Sequence, residues 1–424
     1  MLLRLTDGTT TLTLSGSGAY LGATYFPISQ PGAERLTESA VLTLEGTADA
    51  VRAAVQAVDL MLRGAPERKR IGAPPLYVEY RPLDSGEIRR AEVFDGFVQW
   101  SQAPAERFLA GTLNTVRGVV TWERAAAWEG AEVEIPLASS TQSVRTGGVT
   151  IYSDDNGGNP NWAAIAAANV LGTRPAPIRL RITNATGAGL AWRRFHVGLN
   201  VFSAPSSADV WLLGSEAVNG ASRSWAAGAD HNGLTWLFPL PAALLGQAQG
   251  RTFRVLAAFD SLTSSANLRA SVGSYISTLY VPMRTGPERT GARELVDLGE
   301  FPIPPGGYNV ANAAAALAVT VRSAASGSGT LNFVMLMPTD GYRKLEQVGY
   351  TAGNGDSIVD DGIDGGAYLL SSTSRYPILR GVGDLRVYPG ADQRLYVLLD
   401  EDSGFVAGRQ LTVQAWYRPL YDNV

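Results

Sequence analysis

The sequence predicts a mainly β protein, and three observations carry that reading. Short β-branched or aromatic runs alternate with Asn, Gly, Ser and Pro turns over most of the 424 residues. One stretch alone, beginning at Val51, repeats its apolar residues with the period of a long amphipathic helix. The chain is 45% hydrophobic and 17% charged, the balance of a globular protein able to bury a core. The expected architecture is an N-terminal sandwich or barrel-like sheet with one packed α-helix, followed by one or two tandem jelly-roll-type β-sandwiches.

The chain opens on a strand pattern, Met1-Leu2-Leu3-Arg4-Leu5-Thr6, ending in an Asp7-Gly8 turn. Ala40 to Leu44 alternates with period two. Val51, Ala54, Val55, Val58, Met61 and Leu62 then follow the i, i+3, i+4, i+7 template, while Arg52, Gln56, Asp59 and Arg63 lie off that stripe. Thr47 and Asp49 both have N-cap chemistry, and Gly64 with Pro66 supplies a left-handed exit and a stop, which predicts a helix over about 48–63. Further strands are predicted at Leu76–Tyr80, Ala91–Val98 and Gly118–Trp122.

A length of 424 residues exceeds one ordinary core, so two or three domains are expected. The texture changes near Trp128–Ala131, which places the first domain at 1–130. Beyond it, Pro177–Asn184, Phe195–Val201, Arg254–Asp260 and Tyr275–Val281 recur in rhythm as Leu317–Arg322, Leu331–Pro338, Arg394–Asp400 and Leu411–Arg418. That rhythm, with a polar linker at Arg284–Gly291, predicts two sequential sandwiches, 131–288 and 289–424. The alanine-rich runs Asn161–Val170 and Ala311–Ala316 suit helices, but both are short enough to be strands or loops.

Composition also excludes chemistries. Without cysteine there are no disulfides, thiolate nucleophiles or sulfur-ligated metals. Of the two histidines, His196 sits in a strand-like run and reads as a packed residue, and His231 sits in a Gly-Ala-Asp-His-Asn-Gly turn. A formal charge of -4 argues against sequence-specific nucleic-acid binding. No run of eighteen apolar residues and no basic-then-apolar leader is present, so neither membrane insertion nor secretory export is expected. Two acidic loops, 154–159 and 356–364, offer oxygens to calcium yet lack the spacing and terminal glutamate of an EF-hand; solvated loop chemistry explains the same letters. No constellation of acid, base and nucleophile emerges, so no catalytic, cofactor or metal residues are assigned and the chain is not expected to be an enzyme.

The opening pattern resembles the N-terminal domain of distal tail proteins of long-tailed bacteriophages. The resemblance rests on Leu3–Gly8, Ala40–Gly46, the helix ending at Arg63, Tyr77–Tyr80 and Val93–Gly96, within the first 125 or so residues. It implies a domain that assembles as a homo-oligomeric ring, a hexamer among the orders it admits, joining the tail tube to the baseplate or tail tip. The location implied is the virion, with assembly in the host cytoplasm. The outer sandwiches then serve as decoration or as contacts to host-surface glycan. Other readings are a tail-tube or other tail-associated subunit, and a non-catalytic carbohydrate-binding protein. A glycan site needs exposed aromatic faces, for which Trp192, Trp211, Trp225, Trp236, Tyr342 and Tyr368 are candidates, although aromatics on strands usually face inward.

Overall fold

The computed structural model describes residues 1–424 except 31, 83–85, 102–113, 154–160, 202–210, 229–234, 241–244, 246–250, 264–265, 277, 291–294, 303–312, 323–324, 348–349, 402–403, 407 and 424. His231 and the acidic loop 154–159 therefore lie outside the described residues. The protein is mainly β, with antiparallel sheets and, among the described residues, one long α-helix. The chain divides into two compact units. The first comprises 1–133, 171–175 and 418–424; the second comprises 134–170 and 176–417.

In the first unit the strands β1 (Leu2–Thr6), β2 (Thr11–Thr13), β3 (Tyr20–Tyr25), β4 (Arg35–Gly46), β5 (Leu76–Arg81), β6 (Arg89–Trp100) and β7 (Asn114–Ala125) form one antiparallel sheet. Their order is β2-β1-β5-β6-β7-β4-β3, so β2 and β3 are its edges. Along β4 the alternation is complete: Leu36, Ala40, Leu42 and Leu44 point to the core, while Thr37, Ser39 and Val41 point away. The helix α1 (Ala48–Arg70) lies on the inner face, with Val51, Ala54, Val55, Val58, Met61, Leu62 and Ala65 buried. Each large apolar side chain moved from water there contributes about 1.5–3 kcal/mol. Gly96 permits the close approach, since a Cβ on it would stand 2.9 Å from the Leu62 side chain and 3.0 Å from the Thr121 carbonyl.

The helix starts as expected, with the Thr47 hydroxyl accepting from the Ala50 N–H at 3.3 Å. It does not stop at Gly64. It continues through Pro66 to Arg70, and the left-handed residue beyond it is Gly72. Tertiary contacts override the local stop signals: Ala65 is buried in the core, and Arg68 pairs with Asp7, whose carboxylate also accepts from the Thr9 and Thr10 N–H groups at 2.9 and 2.6 Å. Proline here forgoes one intrahelical hydrogen bond, a cost the last turn tolerates.

The first unit is not a contiguous 1–130 segment. A short strand Leu420–Tyr421 pairs with Trp128–Glu129, and the Gly130 N–H donates to the Pro419 carbonyl at 2.8 Å. Arg174 binds Asp422 and donates to the Ala33 carbonyl at 2.9 Å. Beneath the sheet end, a buried ion pair organises the loop after β3. Arg124 and Glu38, with 0% and 1% side-chain exposure, meet in two parallel hydrogen bonds of 2.7 and 2.6 Å. The remaining Arg124 donors reach the carbonyls of Ile28, Ala125 and Ala126, the Tyr25 hydroxyl donates to Glu38, and the indole of Trp128 lies 4.2 Å from the guanidinium carbon. A buried pair is safe only when satisfied in this way.

The second unit corrects the expected tandem arrangement. The strand Ala176–Asn184 pairs with Ser357–Asp361 on one side and Arg409–Tyr417 on the other, and Trp192–Val201 pairs with Tyr342–Glu346 and Gln393–Glu401. Strands from either side of residue 288 also share a sheet, as Asn267–Ile276 pairs with Ala313–Arg322. One sandwich is thus nested inside another. The framing sandwich has an eight-stranded and a six-stranded sheet built from 133–201 and 342–417; the inserted sandwich has two five-stranded sheets built from 211–338. Both alanine-rich runs are extended: Trp162–Ile165 is a strand followed by a 3₁₀ turn at Ala167–Asn169, and Ala313–Arg322 is a strand.

The central strands of the six-stranded sheet are buried on both faces. Phe195, Val197, Leu395, Val397 and Leu399 lie on one face. From the other, Tyr342, Tyr396, Leu398 and the nearby Phe405 share a core with Trp211, Phe333, Met335 and Met337 of the inserted sandwich. The sheets meet closely at Gly198, where a Cβ would stand 2.3 Å from the Met337 sulfur. Gly198→Val is expected to cost about 1–3 kcal/mol, read as a lower midpoint in urea unfolding of the full chain. Arg124→Ala, which leaves Glu38 buried and unpaired, is expected to cost about 3–5 kcal/mol in the same assay.

Candidate functional site

Alternation along Ala176–Asn184 sends Ile178, Leu180 and Ile182 inward and leaves Arg179, Arg181 and Thr183 on the outer face of the eight-stranded sheet. Cross-strand register then assembles rows on that face. Trp416, Arg179 and Asp361 form one row; Gln414, Arg181, Val359, Tyr368 and Pro377 form the next. Leu370 and Arg375 belong to a third. At the end of these rows lies an open groove of about 680 Å³, lined by Arg179, Asp361, Asp364, the Gly365-Gly366 turn, Tyr368 and Arg375 among others. Both glycines adopt positive φ, 86° and 96°, which suits the tight turn after Asp364.

The acidic segment 356–364, read in sequence as either a calcium loop or a solvated loop, is instead committed to arginines and backbone. Asp356 accepts from the Gly353 N–H at 2.8 Å. Asp360 faces the interior, 1% exposed, and accepts from Arg343 at 2.7 Å and Arg380 at 2.6 Å, joining the two sheets of the framing sandwich. Asp361 and Asp364 both meet Arg179, at 3.0 and 2.6 Å, and Asp361 also accepts from the Ile363 and Asp364 N–H groups. Among the described residues no group of three or more Asp, Glu or His side chains converges on a point where a metal would sit.

Tyr368 is the one proposed aromatic that reaches a surface groove. Trp192, Trp211, Trp225 and Trp236 are all buried, as aromatics on strands generally are. Arg375 lies over the Tyr368 ring with its guanidinium carbon 3.5 Å from the centroid. Sequence reading missed Arg179, Arg181 and Arg375; the alternation of 177–184 shows that the first two share a face, but nothing local reveals their neighbours across the sheet.

A second cleft, of about 290 Å³, lies between the six-stranded sheet and the inserted sandwich and is lined by Arg194, His196, Lys344 and Asp400 on one side and Arg289, Thr290 and Asp297 on the other. His196 Nδ1 and the Tyr342 hydroxyl are 2.7 Å apart. Burial drives the imidazole down to about 4, with Arg194, Lys344 and Arg254 acting in the same sense and Asp297 opposing them. Burial likewise raises the phenol, so its hydroxyl stays protonated and donates to a neutral imidazole. Asp297 is held by Arg254 at 2.6 Å and by the Gly299 N–H, and Glu346 by Arg194 and Lys344 at 2.6 and 3.0 Å. The ions of this cleft pair within their own sandwich, Arg254 with Asp297 in the inserted one and Arg194 and Lys344 with Glu346 in the framing one.

The first unit presents a different surface. On the outer sheet face Val41 stands directly opposite Val119, Thr121 opposite both Ser39 and Phe97, and Val41, Val119 and Phe97 are all exposed. Adjoining this face is the edge strand β3, whose exposed Leu21 precedes Phe26, 81% exposed, and Ile28, 51% exposed. Comparison of the chain with models of known protein families and with the curated proteins gave no match.

The cleft yields a pH prediction. Because the folded pKa of His196 is depressed, its contribution is complete above the unfolded value near 6.5 and is lost as pH falls toward about 4, an effect on the order of 3 kcal/mol. His196→Asn keeps an acceptor for Tyr342 and cannot titrate. Urea unfolding at pH 7 and pH 4 is expected to show a smaller acid loss in the variant; an equal loss in both proteins would refute the assignment.

Proposed function

We propose that the chain is a structural part of a bacteriophage tail, in which the first unit packs beside copies of itself as a ring at the junction of tube and baseplate or tip. On this reading the sandwiches of the second unit are displayed as decoration or for contact with the host surface, and the protein has no reaction centre. The observation that supports it most is the exposed apolar patch of Val41, Val119 and Phe97 on the outer face of the opening sheet, set between charged residues such as Arg117, Arg35 and Glu123 and close to the edge strand β3. Exposed apolar side chains beside an edge strand are an aggregation hazard unless another chain covers them. Closed rings cover such surfaces by symmetry. The sheet with one packed helix also has the plan that the distal tail resemblance implies.

The test uses the full chain. Sedimentation and negative-stain imaging are expected to show closed rings, with Val119→Lys giving monomers of unchanged melting temperature. Stacked tubes would favour a tail-tube subunit instead. A wild-type chain that stays monomeric at high concentration, alone and mixed with the tail-tube protein, would remove the proposal.

A further inference from the structure

We infer that the outer face of the eight-stranded sheet in the second unit binds an anionic glycan, with Tyr368, Arg375 and Arg181 as the recognition residues. The inference goes beyond the ring proposal and does not depend on it. Three features of the face converge. First, it combines half-buried aromatic side chains with hydrogen-bonding ones on a single rigid surface: Trp416 and Tyr368 are separated by three inter-strand steps, about 15 Å, with Gln414 beside Trp416 on its strand and Arg179 and Arg181 on the strand next to it. An aromatic ring offers the apolar C–H face of a sugar a flat partner, while amide and guanidinium groups fix its hydroxyls.

Second, the groove at Tyr368, about 680 Å³, has the size of a small-ligand site and is shaped by fixed elements: a strand pair and the Gly365-Gly366 turn. Third, the charges are unevenly committed. Both carboxylates lining the groove already bind Arg179. Arg181 donates to the Ser357 hydroxyl at 3.0 Å and Arg375 stacks on Tyr368, and among the described residues neither forms an ion pair with a carboxylate. Arg375 thus stands at Tyr368 in the groove and Arg181 two strands away in the same row, beyond Val359, both with donors to spare, and the planar fork of a guanidinium matches the carboxylate of a uronic or sialic acid and the phosphate of a phosphorylated sugar. A neutral glycan offers those donors hydroxyl oxygens but leaves their charge unmatched.

The experiment is binding of the full chain to an array bearing uronate, sialate and phosphate glycans beside neutral ones, followed by titration calorimetry with the best oligosaccharide. The expected result is capture of acidic glycans. Tyr368→Ala should weaken the titrated complex about tenfold or more, and Arg375→Gln or Arg181→Gln should erase the preference over the neutral counterpart and flatten the salt dependence. Uronate or sialate capture identifies a carboxylate ligand, and phosphate capture a phosphorylated one. No captured glycan, equal binding of neutral and acidic forms, or affinity unchanged by all three substitutions would overturn the inference. Unchanged thermal melting of the variants separates lost recognition from lost folding. Because binding is read on the isolated chain whatever its oligomeric state, a failed ring and a failed glycan site give different results.

Discussion

The central strands of the six-stranded sheet of the second unit are covered on both faces, and the architecture of that unit follows from this. Its strand Gln393–Glu401 is buried almost without interruption, so period-two alternation disappears and the residues read as a continuous apolar run. A sheet covered on both sides needs two partners. One is the eight-stranded sheet, and the other is the inserted sandwich, whose Met335 and Met337 lie in a core shared with Tyr396 and Leu398. The insertion leaves the framing sandwich after Val201 and rejoins it at Tyr342, so the two sandwiches share side chains as well as chain connections. Removing either would expose an apolar face of the other.

Ionisable groups at this junction and within the framing sandwich are tolerated where they are paired or kept neutral. Asp360 is flanked by Arg343 and Arg380, and His196 is kept neutral beside Tyr342. The first unit uses the same device at Arg124 and Glu38, where one ion pair also holds the Ile28 backbone by its N–H and its carbonyl. Such pairs add little net stability over apolar packing but penalise any arrangement that separates them. They specify which loop meets which strand, a selection the apolar residues alone would make poorly.

Local patterning was legible and long-range pairing was not. The helix face from Val51 to Leu62 and the strands around Ala40–Leu44 and Leu76–Tyr80 follow from periodicity, because each buries one side against a single core. The helix end was misread because the stop signals at Gly64 and Pro66 are local, whereas the pull on Ala65 and Arg68 comes from residues far away in sequence. The nested sandwich was misread as a repeat for a related reason: strands such as Leu317–Arg322 and Pro177–Asn184 look alike to any one-dimensional pattern, yet the first pairs with 267–276 and the second with 357–361 and 409–417. At the groove, Asp361, Asp364 and Tyr368 were visible as letters. Their meaning was supplied by arginines that only the sheet register brings near.

Charge distribution links these two scales. The chain has 39 acidic and 35 basic residues among Asp, Glu, Lys and Arg, so acids are available in excess for every guanidinium. The structure uses that excess at its junctions: Arg124, Arg179, Arg194, Arg254, Arg343 and Arg380 all have carboxylate partners. Arg181 and Arg375 have no carboxylate partner among the described residues, as is also true of Arg117, Arg145, Arg223 and Arg269, but these two share one sheet face with Tyr368. Each is partly solvated, so neither needs an ion partner for folding, and a strand residue beside Ser357 or Tyr368 would serve the fold equally well if it were a neutral polar side chain. The fold does not require charge at these two positions, and what sets them apart from other solvated arginines is the aromatic they share a face with.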